Sequence, residues 1–479
     1  MSALRDADLR LGDLDIGEID AESDAGLDDY FVRTPFVDRA MEGRRTLFLG
    51  RKGSGKSALF GQLPRLVREA GQNRVVISIT PDHYAWSALK DYKEQGLLAE
   101  QAHTNAWKLT LAIEVATAVT SLKLTWTTGT RRSVDKLQKF LEDNFGTINP
   151  GIADTAKSIL KGLNSFNFSA FGFGVGMSSD PNNEQALTPA LASQIFTVIG
   201  DAVCEIGVMV TIDRLDDSWD GSEEAKSLLV GLLKASKEIN SQLSKRTGDL
   251  GLRILVFLRS DIYDVLQFDD KDKHRPTQTP IEWTPTELAQ MLDARLPDGI
   301  VVGQLFEEGT MRGSIAPFNY IVKRTFLRPR EVLQFLDECI NIAGLDAVEI
   351  SKADVQYAEK RYSSWKVDDL RQEYIKVFPD FNRLLECLRQ GVHRYDSLDE
   401  LTQLLESKDP ELVDKYGARF LLEKLFEYSV IGVRLADTGP TRFRTEDPEL
   451  MLPGSAAAYV HQSLHKGLAI VEKRAPASG

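Results

Sequence analysis

Cysteine, long apolar runs and fixed-period repeats are scarce or missing in this chain of 479 residues. The three cysteines, Cys204, Cys339 and Cys387, are too scattered for a disulfide framework or a zinc cluster, so we expect reduced core residues. No apolar run reaches the roughly 18 uncharged residues that a membrane-spanning helix needs. The N-terminus also lacks the basic stretch and apolar segment of a signal peptide. These absences predict a cytoplasmic protein without a membrane partner.

Aromatic residues are absent from residues 1–29, where ten acidic side chains accompany two arginines. Such a segment is not expected to bury enough apolar surface to offset its ordering entropy, so we predict a flexible acidic arm. The net charge of the whole chain is -13. That acidity argues against indiscriminate binding to nucleic acid, although a local basic groove stays compatible with it.

Apolar, β-rich runs alternate with helix-period segments through the first half of the chain. This alternation predicts an α/β fold with a parallel sheet flanked by helices. The long stretch at about 122–193 is more than one crossover needs and indicates an insertion. Within it, residues 166–177 alternate aromatic with small side chains, which predicts a β-hairpin packed on its own subunit or, alternatively, an oligomer or partner contact. The runs predicted to be strands are residues 46–49, 75–79, 208–212, 252–258 and 279–283.

The second half of the chain has a different pattern. Thr284, Pro285 and Glu287 combine a capping hydroxyl, a first-turn proline and an acid at the third position, which indicates a helix start. Short helices follow from about residue 370, and then two short strands predicted at 428–434 and 441–444 suggest a hairpin. We therefore predict an α/β core over 30–283, a helical lid over 284–369 and a winged-helix-like domain over 370–479.

A phosphate-binding loop follows the first predicted strand. Glycines free backbone amides to wrap phosphates, while the next helix presents its positive N-terminus. Lys56 is predicted to reach the β and γ phosphates, and Ser57 to place its hydroxyl on Mg²⁺. A Gly-rich turn that binds no nucleotide is the alternative. The predicted ATP-binding residues are Gly50, Arg51, Lys52, Gly53, Ser54, Gly55, Lys56, Ser57 and Ala58.

An acidic residue at the end of another apolar strand completes such a site, and Asp213 takes that place after residues 208–212. Its carboxylate is predicted to hold Mg²⁺ together with Ser57. Arg214 follows where many hydrolytic relatives carry glutamate, so the group that orients water must come from elsewhere. Asp216 or Asp217 could supply it, or both could be helix N-caps without a catalytic role.

Two arginines are candidate phosphate sensors. Arg259 ends the fourth predicted strand, where it could contact the γ phosphate or act as an arginine finger; pairing with Asp216 or Asp261 is the structural alternative. Arg330 begins a predicted lid helix and is a second candidate, with a helix-surface charge as its alternative.

The phosphate loop, the strand end at 212–217 and the motifs at 257–261 and 328–330 resemble those of the AAA+/STAND/KAP group of P-loop ATPases. Residues 29–34 and the C-terminal stretch 460–465 look like those of a bacterial P-loop ATPase family first named from a cyanobacterial hypothetical protein. The resemblance covers roughly residues 30–345. It implies an additional-strand P-loop NTPase core with sheet order 5-1-4-3-2, a helical lid, and often a winged helix. Carried over by position, Asp213 matches the metal acid, Arg259 the first sensor and Arg330 the second.

Three functions compete at this point. The first is an ATP-dependent, slowly hydrolysing conformational switch that forms a homo-oligomer or binds a protein partner, by analogy in bacterial stress or antiviral defence. The second is a DNA-associated, initiator-like ATPase that uses the winged helix; acidic residues near Arg434, Arg442 and Arg444 argue against it. The third, a small-molecule kinase, fits the large C-terminal extensions poorly.

Overall fold

The computed structural model describes residues 3–81, 83–90, 98–160, 166–167, 169–171, 181–243, 250–434 and 439–472. The chain divides into two compact units. The sheet unit comprises residues 33–51 and 56–281, and the helical unit comprises residues 1–32, 52–55 and 282–479. Helices and strands are numbered in chain order below.

A five-stranded parallel sheet in the order β2-β3-β4-β1-β5 forms the centre of the sheet unit. Read from the opposite edge, this is the order 5-1-4-3-2, so the predicted strand order is confirmed. β3 is buried along its whole length and β4 at all but one residue, as is typical of a parallel sheet covered on both faces. The strands are β1 (Leu47–Gly50), β2 (Arg74–Ile79), β3 (Gly207–Ile212), β4 (Leu252–Arg259) and β5 (Gln278–Pro280).

Helices surround this sheet, and α6 is buried on nearly all sides. The indole of Trp107 on α6 donates a hydrogen bond of 3.0 Å to the Leu228 carbonyl of α10, which ties two long apolar helices together. The helices of this unit are α3 (Pro35–Glu42), α4 (Lys56–Glu69), α5 (His83–Lys90), α6 (Ala99–Ser121), α7 (Thr128–Phe145), α8 (Ile152–Leu160), α9 (Pro181–Ala202), α10 (Glu223–Leu243) and α11 (Ser260–Val265).

The predicted insertion at about 122–193 contains α7, α8 and the first half of α9. Residues 168 and 172–177 of the predicted hairpin lie outside the described residues. In the part that is described, Ser169–Phe171 form a 3-10 turn. Phe166 is buried and stacks on Phe140 with ring centroids 6.4 Å apart. The aromatic side chain therefore packs on its own unit.

The first part of the helical unit forms its own core. Thr284 caps α12, accepting a hydrogen bond from the Glu287 backbone, so the predicted helix start is confirmed. Pro329 occupies the first turn of α14, as predicted. These helices are α1 (Ala3–Asp6), α2 (Leu27–Tyr30), α12 (Pro285–Asp293), α13 (Pro317–Val322), α14 (Pro329–Ala343) and α15 (Lys352–Tyr374).

A second core of the helical unit packs short helices against a small antiparallel sheet of order β6-β8-β7. The predicted antiparallel pairing of 428–434 with 441–444 is present as a bridge between Val433 and Arg442. The strand that pairs with β7 along its whole length is β8, which was not predicted. Residues 435–438 of the predicted turn lie outside the described residues. The elements are α16 (Phe381–Cys387), β6 (Arg394–Tyr395), α17 (Leu398–Lys408), α18 (Pro410–Tyr416), α19 (Ala418–Glu427), β7 (Ile431–Arg434) and β8 (Ala457–Val460).

The acidic N-terminal segment differs from the flexible arm predicted for residues 1–29. Leu4 and Leu11 are buried in the core of the helical unit. The backbone amides of Leu11 and Gly12 donate hydrogen bonds of 2.8 and 2.9 Å to the carbonyls of Ala347 and Leu345. Leucines scattered among the acids thus bury enough surface to order the segment, although its overall composition is polar.

Cys339 and Cys387 are buried free thiols, and Cys204 is partly buried and free. Within the described part of the chain, no helix combines the length and apolar character needed to cross a membrane.

Candidate functional site

The carboxyl ends of the central strands bring the predicted residues of the sheet unit together. Gly50, the last residue of β1, is the parallel register partner of Arg259 at the end of β4. Asp213 directly follows β3, which pairs with β4 on its other side. Ligands of open α/β sheets bind at this edge, so the topology places the loop, the acid and the arginine where a ligand would lie.

Lys56 opens α4 and is buried. Its ammonium donates hydrogen bonds of 3.0 and 3.1 Å to the carbonyls of Gly50 and Arg51. Burial lowers the pKa of this ammonium, while the carboxylates of Asp216 and Asp213 oppose that shift. A buried cation held by two carbonyls and two nearby acids is suited to exchange these partners for an anionic ligand.

Asp213 is 2% exposed. Burial raises the pKa of its carboxyl group, and the Lys56 charge and a hydrogen bond with the Ser57 side chain oppose that rise. Its Oδ2 atom is buried and has no hydrogen-bond partner. A buried carboxylate oxygen without a partner is costly, and a hard cation that takes oxygen ligands would satisfy it. Ser57 and Asp213 therefore fit Mg²⁺.

The turn after Asp213 excludes one of the predicted alternatives. Asp216 and Asp217 lie in a turn rather than at a helix start, and α10 begins only at Glu223. The capping hydroxyl is that of Ser222, which accepts a hydrogen bond of 3.2 Å from the Ala225 amide. The N-cap interpretation of Asp216 and Asp217 is therefore wrong.

Arg214 separates Asp213 from this turn and adopts a left-handed backbone conformation, with φ of 60°. Such a conformation costs an arginine roughly 1 kcal/mol or more. Arg214 is exposed, whereas Asp216 is half-buried and Asp217 exposed. Of these acids, Asp216 is the one whose charge acts on both Lys56 and Asp213.

Arg259 is buried and paired within the sheet unit. Its Nη2 and Nε atoms donate to the Asp261 carboxylate at 2.7 and 3.2 Å, and its Nη1 lies 3.6 Å from Asp216. The structural alternative, pairing with Asp216 or Asp261, is thus the arrangement present. Asp261, which the sequence offered as a partner of Arg259, accepts from its guanidinium with both carboxylate oxygens.

Residues Lys52–Gly55 cluster with the helical unit. Gly53 and Gly55 have φ of 76° and 93°, which a side chain would disfavour. A Cβ atom at Gly53 would lie 3.0 Å from the Cβ atom of Arg330. The Trp283 indole donates a hydrogen bond of 2.8 Å to the Ser54 carbonyl. The tip of the loop is therefore held by side chains that the helical unit supplies.

The two arginines at the start of α14 have different environments. Arg328 is buried, donates to the Glu373 carboxylate at 2.8 Å and lies 3.5 Å from Glu331. Arg330 is 28% exposed, and its Nη2 atom lies 3.1 Å from Asp20. The structure thus leaves Arg330 the more accessible of the two, whereas Arg328 donates at 3.1 Å to the Lys52 carbonyl.

A buried chain of charges supports Lys52. Its ammonium lies 2.9 Å from Asp369 on α15. The ammonium of Lys366, which is fully buried, contacts Glu331 at 2.6 Å and lies 3.7 Å from Asp369. Sequence reasoning missed Lys366 and Asp369, because the i, i+3 spacing of these two residues resembles that of an ordinary helix surface.

Known proteins resemble this chain both within the helical unit and over most of its length. Residues 284–371 match the family model of the FunZ-associated C-terminal helical domain, a span that nearly coincides with the predicted lid. Over 457 residues the chain is 24% identical to the transposon gamma-delta 80.3 kDa protein of Escherichia coli (strain K12), covering 89% of this chain and 62% of that protein. The chain thus spans less than two thirds of the length of this relative.

A solved structure of the ORC2 protein of Aeropyrum pernix, in ADPNP–ADP complexes, aligns with 90% of this chain and 87% of that chain. The sequence identity is 11% and the TM-score 0.38. A likeness at that TM-score assigns no function, so the sheet order and the contacts at the strand ends have to support the assignment.

Proposed function

We propose that this protein is a P-loop ATPase that binds Mg²⁺ and ATP through residues 50–57 and Asp213. The observation that carries the proposal is the environment of the buried Asp213 carboxylate. It has a hydrogen bond with the Ser57 side chain, and its Oδ2 atom has no hydrogen-bond partner. The buried ammonium of Lys56 is close enough for its charge to act on this carboxylate. A Gly-rich turn that binds no nucleotide would not require these three groups at the same edge of the sheet.

Each residue has a separate task in this proposal. Lys56 exchanges its two carbonyl partners for phosphate oxygens, and the backbone amides of the loop surround the phosphates. Ser57 and Asp213 would hold the metal. Bound Mg²⁺ would supply positive charge that neutralises the γ phosphate as it leaves.

Hydrolysis is proposed to be slow. Arg214 stands where an acid that orients water would be expected. Asp216 is the acidic candidate for that task, because its charge acts on Lys56. Arg259 is occupied by Asp261 in the structure, so it must leave that carboxylate before it can contact a phosphate. Both features fit a protein whose nucleotide state changes rarely.

The proposed output is a nucleotide-dependent switch in conformation or assembly, through a homo-oligomer or a protein partner. Support comes from α15, which bears Asp369, the ion-pair partner of Lys52 in the phosphate loop, and continues into the second core of the helical unit. A nucleotide that displaces Lys52 would therefore act on α15 directly. A role in bacterial stress or antiviral defence rests on the family resemblance alone.

A DNA-associated ATPase is the second candidate. Its support is the relative named for a transposon and the arrangement of α16–α19 with the small sheet, which fits the winged-helix-like domain that we propose for residues 370–479. Against it, basic side chains of α16, α18 and α19 are paired with acids: Arg383 with Asp409, Lys415 with Asp380, and Arg419 with Glu423. Phosphate contacts would have to replace these pairs.

The test is Mg²⁺-dependent ATP binding and turnover by the full-length chain, with and without double-stranded DNA. Lys56→Ala and Lys415→Ala form a matched pair, because each removes one lysine and only Lys56 lies in the site. We expect slow turnover in the wild type and in Lys415→Ala, its loss in Lys56→Ala, and no response to DNA.

Two results would change the proposal. Absence of both binding and turnover in the wild type rejects the ATPase. Stimulation of turnover by DNA, absent at high salt, replaces the protein-directed switch with the DNA-associated ATPase.

A further inference from the structure

Arg330 connects the phosphate loop with the N-terminal segment of the same unit. Its aliphatic carbons cover Gly53, where a Cβ atom would meet them at 3.0 to 3.7 Å. Its guanidinium ends at Asp20, with 3.1 Å between Nη2 and the Asp20 carboxylate. Its Nε atom is buried and has no hydrogen-bond partner. One donor of this arginine is thus taken by an acid, while another is unsatisfied.

The position of Asp20 is fixed on both sides. Upstream, Leu11 and Gly12 are hydrogen-bonded through their backbones to residues 345–347. Downstream, Asp24 is buried and pairs with Arg295 at 3.0 Å. The same arginine donates to the carbonyl of Ile16, which lies upstream of Asp20, at 3.2 Å. Asp20 is therefore presented to Arg330 by a segment that is anchored before and after it.

We propose that Asp20 acts as an internal competitor for nucleotide phosphate at Arg330. A carboxylate and a phosphate use the same donors of a guanidinium, so Asp20 occupies Arg330 when no nucleotide is bound and is displaced when phosphate arrives. This inference rests on the proposed nucleotide site. It gives the acidic N-terminal segment a function: it lowers the affinity for nucleotide and couples binding to release of the segment.

The exposure of the pair makes this competition reversible. The Asp20 side chain is 64% exposed and that of Arg330 28%. Exposed ion pairs are weak, whereas a nucleotide phosphate brings more negative charge and more acceptor oxygens. Asp20 is therefore expected to modulate affinity and not to block the site.

The experiment measures the Kd of a fluorescent ADP analogue for the full-length chain and its Asp20→Asn variant. We expect Asp20→Asn to bind about twofold to fivefold more tightly, the range of an exposed ion pair. Glu18→Gln is the matched control, since it removes the same charge from an exposed position two residues away. In an Arg330→Ala background, Asp20→Asn should no longer change the Kd, because the competed group is gone.

The outcomes separate this inference from the proposed function. Equal affinities of the wild type and Asp20→Asn, with Lys56→Ala unable to bind, overturn the competition and leave the ATPase standing. An equal gain in Glu18→Gln also overturns it, because the effect is then that of net charge. Failure of the wild type to bind the analogue rejects both. Unchanged thermal unfolding of each variant establishes that the affinities compare folded proteins.

Discussion

Ser57 and Asp213 are joined through the Ser57 side chain, and the second oxygen of Asp213 is buried without a partner. In the proposed metal site both side chains would bind the cation, so metal binding would replace the hydrogen bond between them. A ligand that separates them would therefore gain from satisfying Oδ2 as well as from binding phosphate.

The first prediction concerns this oxygen. Asp213→Asn preserves the size of the side chain but removes its negative charge, so the Mg²⁺-dependent gain in nucleotide affinity should fall at least about tenfold. Titration of the ADP analogue with and without Mg²⁺ measures it. Asp217→Asn, at an exposed position in the following turn, serves as the control and should keep the gain. Equal gains in the two variants would show that Asp213 does not hold the metal.

The second prediction uses the pKa of Lys56, which burial lowers from the ordinary lysine value of 10.5. A phosphate restores a negative partner and raises that pKa, so nucleotide binding should take up protons as the pH rises towards the ordinary value. As the pH rises, the affinity for nucleotide should therefore begin to weaken at a lower pH than the one at which a surface lysine loses its charge. Calorimetry in two buffers of different ionisation enthalpy, repeated over a series of pH values below 10.5, measures the uptake.

Two observations would contradict this prediction. One is binding without proton uptake in the wild type; the other is the same uptake in a variant that lacks Lys56 but still binds nucleotide. Lys415→Ala should reproduce the wild-type uptake.

The third prediction concerns Gly53, whose φ is 76° and whose added Cβ would lie 3.0 Å from Arg330. Gly53→Ala should weaken nucleotide binding, because both the left-handed backbone and the position of Arg330 are disturbed. Gly71→Ala is a matched control: its φ is 64°, but no atom lies within 4 Å of the added methyl group. It should lose about 1 kcal/mol of stability through its backbone without a change in Kd. Similar Kd values for both variants would disprove a special role for Gly53.

The fourth prediction concerns the buried ion pair of Lys366 with Glu331. Lys366→Met keeps the length of the side chain but leaves buried carboxylates short of one cation, so unfolding free energy should fall by about 3 kcal/mol. Urea unfolding of the full chain measures it. Lys415→Met removes an exposed ion pair with Asp380 and should leave the unfolding free energy nearly unchanged. A loss at Lys366 no larger than at Lys415 would mean that the carboxylates find other partners.

The sequence was most informative where a local pattern decides the structure. The five strands and the helix start at Thr284 follow from apolar runs and capping residues, and Asp213 follows from its place after a buried strand. The order of the strands was implied by the family resemblance and not by any local pattern. Partners remote in sequence were not predictable. The pair between Lys52 and Asp369 and the pairing of β7 with β8 depend on how distant segments meet, which no local periodicity records.

The N-terminal segment shows why composition alone misleads. Ten acids within 29 residues predict a mobile segment. Leu4 and Leu11 are nevertheless buried in an apolar core, and the backbone amides of Leu11 and Gly12 are hydrogen-bonded to the carbonyls of residues 347 and 345. A few apolar side chains at suitable positions decide whether the segment is ordered, and the average composition of the segment does not show where those side chains lie.

The length of α15 has a practical consequence for dividing the polypeptide. Tyr362 belongs to the first core of the helical unit, whereas Leu370 and Tyr374 belong to the second. A fragment ending at residue 369, the predicted end of the lid, would be cut within this helix and would leave Arg328 buried without Glu373. Proteolysis of the folded protein should spare this position, and truncated proteins designed around it should aggregate.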